Sequence, residues 1–283
     1  MPTSFPRRSA SLLFLLVAAW LGGCATPQQA VTSEPPLLPG SPSAPSQVTP
    51  AEALAIAEIY SNHAWKPFAR NIRHAADSTG IRVDTPDVGY RPNAGRGGWW
   101  TPGEINTGIP YKWGGFDDPA TFDRLVAEGA AAGDVYTPAK RRGDNDAVSR
   151  EAAGVDCSGF VSRCLKLPTV HDSSQLPSIC DVLPNPQELA PGDVLNIPRQ
   201  HVIIFAGWAR PDRSWAYFYE TGGVPEWKPA LKEAPFDKLM ALGYQPMRYR
   251  GMARQTIPSG KEILTRSVRQ RAISIPNPVI GNP

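Results

Sequence analysis

One cysteine stands in a local pattern that favours nucleophilic chemistry. Cys157 belongs to the run DCSGFVSR at residues 156–163, which leads into apolar residues at helical spacing. This pattern places Cys157 at the N-terminus of a helix, where unpaired backbone N–H groups and the positive end of the helix dipole stabilise a thiolate. The same N–H groups could also stabilise an oxyanion on a substrate carbonyl. Cys157 is therefore predicted to be a nucleophile.

A thiolate nucleophile needs a base, and His201 is placed for that role. It begins a β-branched run at residues 201–208, and a second strand pattern follows at residues 215–221. If the two runs form a hairpin, Glu220 lies either opposite His201 or diagonally from it on the same face. A carboxylate in that position would orient the imidazole and favour its protonated form. Glu220 is therefore the predicted third member of a nucleophile–base–orienter set.

The other thiols and histidines leave alternatives open. Cys164 is seven residues after Cys157, about 10 Å along a helix at ~1.5 Å per residue, so a disulfide between them would unwind the helix. Cys164 could pair with Cys180 in an oxidising compartment, or both could be small buried apolar residues. A zinc site made of these two cysteines with His171 and His201 lacks regular ligand spacing. His171 is also the weaker base, because it follows the nucleophile helix instead of lying on a strand. No metal or organic cofactor is predicted.

The elements that must position these residues form an α+β pattern. Helices are predicted at residues 50–62, 65–76, 118–132, 157–167 and 235–241. Strands are predicted at residues 81–84, 193–197, 201–208, 215–221 and 244–250. Because the helices come first and the strands are concentrated afterwards, we expect a nucleophile helix packed on an antiparallel sheet. Thr49 and Glu52 form a capping box at the start of the first helix, with Pro50 at its first position.

Composition excludes several classes of protein. Of the 283 residues, 41% are hydrophobic and 19% are charged, so a packed core is possible and disorder throughout is excluded. The 31 prolines argue against an all-helical bundle. The net charge of +3, without a long run of Lys and Arg, gives no indication of nucleic-acid binding.

The N-terminal residues are typical of an exported, lipid-anchored protein. Arg7 and Arg8 precede an apolar run at residues 11–20, which is shorter than the roughly 20 residues that span a bilayer. The sequence LGGC that ends at Cys24 resembles a bacterial lipobox, so residues 1–23 are predicted to be a signal peptide and Cys24 to be lipidated. An ordinary secretory signal is the alternative. The proline-rich residues 24–48 are predicted to form an extended tether.

The central part of the chain resembles the NlpC-type cell-wall cysteine peptidases, a family with a papain-like fold. The resemblance rests on motifs in the same order along residues 105–250. These motifs are GIPYKWGG at residues 108–115, DCSGFV at 156–161, LP at 167–168, SSQ at 173–175, PGDV at 191–194 and HV at 201–202. Around this domain we expect a helical and loop extension at residues 49–104 and a tail at residues 251–283.

The resemblance implies a hydrolase that cleaves amide bonds in peptidoglycan stem peptides. The expected activity is that of a D,L-endopeptidase acting between γ-D-glutamate and a diamino acid. Tyr111, Asp156 and Ser158 match family positions that line the substrate cleft, and Asp156 and Ser158 are expected to recognise a free amino terminus. By resemblance to sorted lipoproteins, Ala25 favours the outer membrane. The protein is expected to act as a monomer that is held at the membrane through the lipid on Cys24.

Two features depart from the family pattern. Glu220 stands where the family usually has His, Asn or Gln. Residues 116–154 separate two motifs that the family joins closely, and this insertion forms either a rim over the cleft or a surface decoration. The alternative functions are an amidase or acyltransferase acting on another amide or ester, and a non-catalytic lipoprotein that binds the cell wall.

Overall fold

The computed structural model describes residues 47–92, 97–222 and 226–253. The predicted signal peptide, the lipidation site Cys24, the tether up to residue 46 and the tail from residue 254 lie outside the described residues. Within the described part of the chain, no helix is long and apolar enough to cross a membrane.

The described residues contain five α-helices. They are α1 (Pro50–Asn62), α2 (Pro119–Glu128), α3 (Pro138–Gly143), α4 (Cys157–Cys164) and α5 (Phe236–Ala241). The capping box of α1 is present as predicted, with the Thr49 hydroxyl accepting from the backbone N–H of Glu52. The helix predicted to carry the nucleophile, α4, is shorter than expected, and Lys166 just beyond it adopts a left-handed backbone with φ 56°. Likewise α2 ends at Glu128 instead of near residue 132, because Gly129 caps it with a left-handed backbone of φ 102°.

Six short strands precede the main sheet. They are β1 (Ala64–Trp65), β2 (His74–Ala76), β3 (Arg82–Asp84), β4 (Asn106–Thr107), β5 (Ala131–Ala132) and β6 (Ala152–Ala153). The pairs β1–β4 and β2–β3 are antiparallel, whereas β5–β6 is parallel.

The predicted helix at residues 65–76 is wrong. Trp65 belongs to β1, and only residues 69–71 form a single turn of 3₁₀ helix. Pro67 cannot donate a helical hydrogen bond. The side chain of Asn71 instead donates to two carbonyls at the end of α2, at 2.9 and 2.8 Å. Tertiary contacts thus override the apolar spacing.

The main sheet has six antiparallel strands in the order β11-β10-β9-β8-β12-β7. These strands are β7 (Cys180–Val182), β8 (Val194–Ile197), β9 (His201–Trp208), β10 (Trp215–Glu220), β11 (Ala230–Pro235) and β12 (Gln245–Tyr249). The sequence predicted four of them, but β7 and β11 were missed because both are short or rich in charged residues.

The sheet separates two apolar clusters. On one face, α4 packs Phe160 against β9 residues such as Val202, and Tyr60 of α1 meets the Phe160 ring edge-on at 5.8 Å. On the other face, α5 contributes Phe236 to a cluster with Phe205. The described part of the chain is therefore α+β, and α1 shares one core with α4.

Candidate active site

Asp156 fixes the N-terminus of α4 and thereby the position of Cys157. Its Oδ1 accepts hydrogen bonds from the backbone N–H of Gly159 at 2.6 Å and from the hydroxyl of Ser158 at 2.9 Å. Its Oδ2 accepts from the N–H of Gly114 at 3.1 Å, which ties the helix to the preceding motif. Burial raises the pKa of Asp156 against these hydrogen bonds. Cys157 is consequently the first residue of α4, as predicted.

A β-bulge in β9 sets the relation between His201 and Glu220. Tyr217 pairs with Gly207, but the next residue of β10 pairs with Phe205, so Ala206 is an extra residue in β9. Continuing the shifted register places Glu220 diagonally from His201 on one face of the sheet. Without the bulge, Glu220 would face the opposite side.

The imidazole and the carboxylate are in direct contact. Nε2 of His201 lies 3.1 Å from Oε2 of Glu220, and both side chains are largely covered. With Nε2 directed at Glu220, Nδ1 is the nitrogen left for the Cys157 thiol, whose interaction with the imidazole helps to raise the pKa of His201. The three predicted residues therefore form one connected set.

Electrostatics favour the charged forms of His201 and Glu220. Burial disfavours the charged imidazole, but its interactions with Cys157 and Glu220 raise the pKa of His201 to about 10. Burial also disfavours ionised Glu220, yet the hydrogen bond from His201 and the charge of Lys232 lower its pKa to about 2. At neutral pH the imidazolium is therefore paired with a carboxylate on one side and with the sulfur on the other.

Lys232 is a partner that the sequence analysis missed. Its Nζ lies 2.6 Å from Oε1 of Glu220, on the oxygen that His201 does not use. Lys232 pairs with Phe218 across the β10–β11 ladder, which makes it a diagonal neighbour of Glu220. The signal that could have revealed this contact was β11 itself, had its charged sequence been interpreted as a strand.

Cys157 and His201 line a cavity of about 760 Å³. The three residues expected to contact substrate, Tyr111, Asp156 and Ser158, line the same cavity. The sequence analysis did not assign further lining residues from the 116–154 segment and from the loop before β9. These include Tyr136, Arg141, Arg142, Asp144, Asn145, Val148, Arg199 and Gln200. The 116–154 segment therefore contributes a wall of the cleft.

Tyr111 is held in place by the ring of Trp227 and by the backbone of Gly222. Its ring lies 5.6 Å from that of Trp227, and it is almost fully buried. Gly222 adopts φ 86°, and a Cβ on this residue would lie 2.6 Å from the Tyr111 ring. Glycine is thus required at position 222 for both its backbone conformation and its small size.

The remaining candidates lie outside the cavity. His171 is not among its lining residues, and Nδ1 of this histidine lies 3.3 Å from the carbonyl oxygen of Thr169, two residues earlier. Cys164 and Cys180 are free thiols, so the disulfide alternative is wrong. Burial raises the pKa of Cys164 and raises that of Cys180 to about 12, as expected for small residues packed in the core.

The arrangement is suited to covalent catalysis on a carbonyl group. It combines a thiol at a helix N-terminus with an imidazolium held by a carboxylate. A scan against protein-family models found no match, and searches of curated proteins and of solved structures found none either. The function must therefore be inferred from the residues of the cleft.

Proposed function

We propose that the chain is a cysteine hydrolase that cleaves amide bonds in peptidoglycan stem peptides. The placement of His201 between Glu220 and Cys157, the first residue of α4, is the observation that carries this proposal. The ordered motifs at residues 108–202 supply the substrate class by resemblance, with the γ-D-glutamyl–diamino acid bond as the expected target. The packing of α4 on an antiparallel sheet supports a papain-like core.

The proposed reaction starts from a Cys157 thiolate paired with the His201 imidazolium. The Cys157 thiolate attacks the amide carbon, and its own backbone N–H stabilises the oxyanion that forms. As the C–N bond breaks, the His201 imidazolium gives its proton to the leaving amine and a thioester remains. The neutral imidazole then takes a proton from water, and the resulting hydroxide attacks the thioester carbon. The carboxylic acid product leaves, and the thiolate–imidazolium pair is restored.

Asp156 is suited to bind an ammonium group of the substrate. It lines the cavity, and its carboxylate has room for a further donor beside the three that it already accepts. Because burial raises its pKa, a bound cation would favour its ionised form. Tyr111 and Ser158 border the same part of the cleft and complete this proposed amine site.

The proposal includes lipid anchoring through Cys24, with the catalytic part facing the periplasm from the outer membrane. The cysteine belongs to the LGGC sequence at residues 21–24, outside the described residues. Membrane fractionation of the wild type and of Cys24→Ser tests this part separately, since a wholly soluble wild-type protein contradicts it without affecting the hydrolase.

Mass spectrometry of purified muropeptides after incubation tests the hydrolase directly. The wild type is expected to release fragments with a new amino terminus at the diamino acid, whereas Cys157→Ala should release none. Cys180→Ala is the matched control, because it removes a thiol that lies outside the cleft. Fragments released by Cys157→Ala would contradict the cysteine mechanism. Binding of muropeptides by the wild type without any cleavage would favour the non-catalytic alternative.

A further inference from the structure

One wall of the cleft is fastened to the loop that precedes His201. The guanidinium of Arg141 donates hydrogen bonds to the carbonyl oxygens of Arg199 at 2.6 Å and Gln200 at 3.2 Å. The same guanidinium lies 5.4 Å from the centre of the Tyr136 ring. The guanidinium of Arg141 thus bridges α3 and the loop before β9. By binding the backbone carbonyl of Arg199, it holds this residue at the edge of the cleft.

Two further arginines border the cavity beside this bridge. Arg142 follows the bridging residue, and Arg199 has a left-handed backbone with φ 63°. Within the residues that the structure describes, neither guanidinium forms a hydrogen bond or an ion pair. Each therefore keeps its five N–H donors for a ligand that enters the cleft.

The acidic residues that line the cavity form no ion pair with either of these arginines in the described part of the chain. Asp156 accepts three hydrogen bonds at the start of α4. Asp172 accepts from the hydroxyl of Ser174 and from two backbone N–H groups of its own loop. Asp144 also lines the cavity and forms no ion pair with another described residue. Because none of these carboxylates forms an ion pair with Arg142 or Arg199, both guanidinium groups remain available to an anionic ligand.

We propose that Arg142 and Arg199 bind a carboxylate of the substrate, which makes the protein selective for peptides with a free carboxylate beside the scissile bond. A guanidinium matches the two oxygens of a carboxylate with parallel hydrogen bonds. In a γ-D-glutamyl–diamino acid peptide, the glutamyl α-carboxylate and the carboxylates of the diamino acid can supply this group. The inference rests on the proposed function, because it concerns the same cleft.

A binding experiment separates this inference from catalysis. In the Cys157→Ala background, calorimetry compares L-alanyl-γ-D-glutamyl-meso-diaminopimelate with two analogues, one amidated at the glutamyl α-carboxyl and the other on the diamino acid. We expect one analogue to bind about tenfold more weakly, or weaker still, than the unmodified tripeptide, because it loses charge-assisted hydrogen bonds. The analogue that loses affinity identifies the carboxylate.

Variants of the two arginines then test whether these side chains cause the difference in affinity between the acid and the amide. Arg142→Gln and Arg199→Gln should each reduce the discrimination between acid and amide, and the double variant should remove most of it. Arg150→Gln is the matched control, because Arg150 is exposed in the same segment but does not line the cavity. Equal binding of all three peptides, no measurable binding of any, or unchanged discrimination in the double variant would overturn the inference. Failure of the wild type to cleave the tripeptide, with the discrimination intact, would instead contradict the proposed hydrolase.

Discussion

Lys232 and Glu220 form an ion pair on neighbouring strands, with Nζ 2.6 Å from Oε1. The other oxygen of the same carboxylate faces His201 at 3.1 Å. Both side chains of the ion pair are mostly covered, with exposed fractions of 21% for Lys232 and 13% for Glu220. Lys232 therefore restrains the carboxylate so that one oxygen remains directed at the imidazole.

Lys232→Met should lower kcat and leave KM nearly unchanged. Without the ammonium group, the Glu220 carboxylate can rotate away from His201, although the substrate site remains intact. Lys232→Arg keeps the positive charge and should recover part of the activity. Steady-state kinetics on a stem peptide check this. An equal loss in the Met and Arg variants, or a loss confined to KM, would contradict the positioning role.

Glu220→Gln should shift the alkaline limb of the pH–rate profile to lower pH. The carboxylate helps to raise the pKa of His201 to about 10. A neutral amide gives up that contribution, so the imidazolium loses its proton at a lower pH. Glu220→Gln should also retain more activity than Glu220→Ala, because it keeps a hydrogen-bond acceptor. Glu233→Gln, an exposed residue of β11, serves as the control whose profile should not move.

His201→Ala should reduce turnover almost as much as Cys157→Ala. In the proposed mechanism the imidazole both pairs with the thiolate and protonates the leaving amine, so its loss would impair both functions. His171→Ala should have little effect, because His171 does not line the cavity. Turnover assays, with circular dichroism to confirm folding, make the comparison. If His171→Ala matched His201→Ala, the base would have been assigned to the wrong residue.

Gly222→Ala should destabilise the protein and reduce activity. The left-handed backbone costs about 1 kcal/mol for alanine, and the new Cβ would also push against the Tyr111 ring, 2.6 Å away. Gly243→Ala is the matched control, because Gly243 has φ 91° but a Cβ added there would meet no atom within 4 Å. Denaturant unfolding should therefore show a larger loss for Gly222→Ala. Equal losses would mean that Tyr111 moves aside without cost.

Lys140→Met should destabilise the wall of the cleft that α3 supports. Lys140 and Asp134 form an ion pair at 2.6 Å, with exposed fractions of 4% and 0%. Removal of one partner leaves a buried charge unpaired, which costs roughly 3–5 kcal/mol. Thermal unfolding measures this loss, and the double variant Lys140→Met with Asp134→Asn should recover part of it.

The loss of unfolding free energy in Lys140→Met should also depend on pH. Burial raises the pKa of Asp134 more than the hydrogen bond and charge of Lys140 lower it, and the result is a pKa of about 6. Without Lys140 the pKa of this carboxyl rises further, so the folded state binds a proton that the unfolded state has already released. The unfolding free energy of the variant should therefore fall as pH rises through and above 6. A pH-independent difference from the wild type would contradict the role of Asp134.

Local patterns in the sequence determined the elements whose hydrogen bonds are made within a few residues. The capping box at Thr49 predicted α1, and the pattern that begins at Asp156 predicted that Cys157 starts a helix. The β-branched run from His201 predicted β9. These features depend on side-chain spacing and on contacts between near neighbours, which a sequence displays directly.

The tertiary structure decided what depends on pairing between distant residues. The sequence allowed two positions for Glu220, and the bulge at Ala206 selected the diagonal one on the face of His201. It gave no indication that Lys232 would hold the same carboxylate, because that contact requires the β10–β11 register. Nor did it reveal that Arg141 bridges to the carbonyl of Arg199, 58 residues away along the chain. Such contacts are fixed by strand register and by chain packing, since one residue more or less in a strand reverses the face of every side chain beyond it.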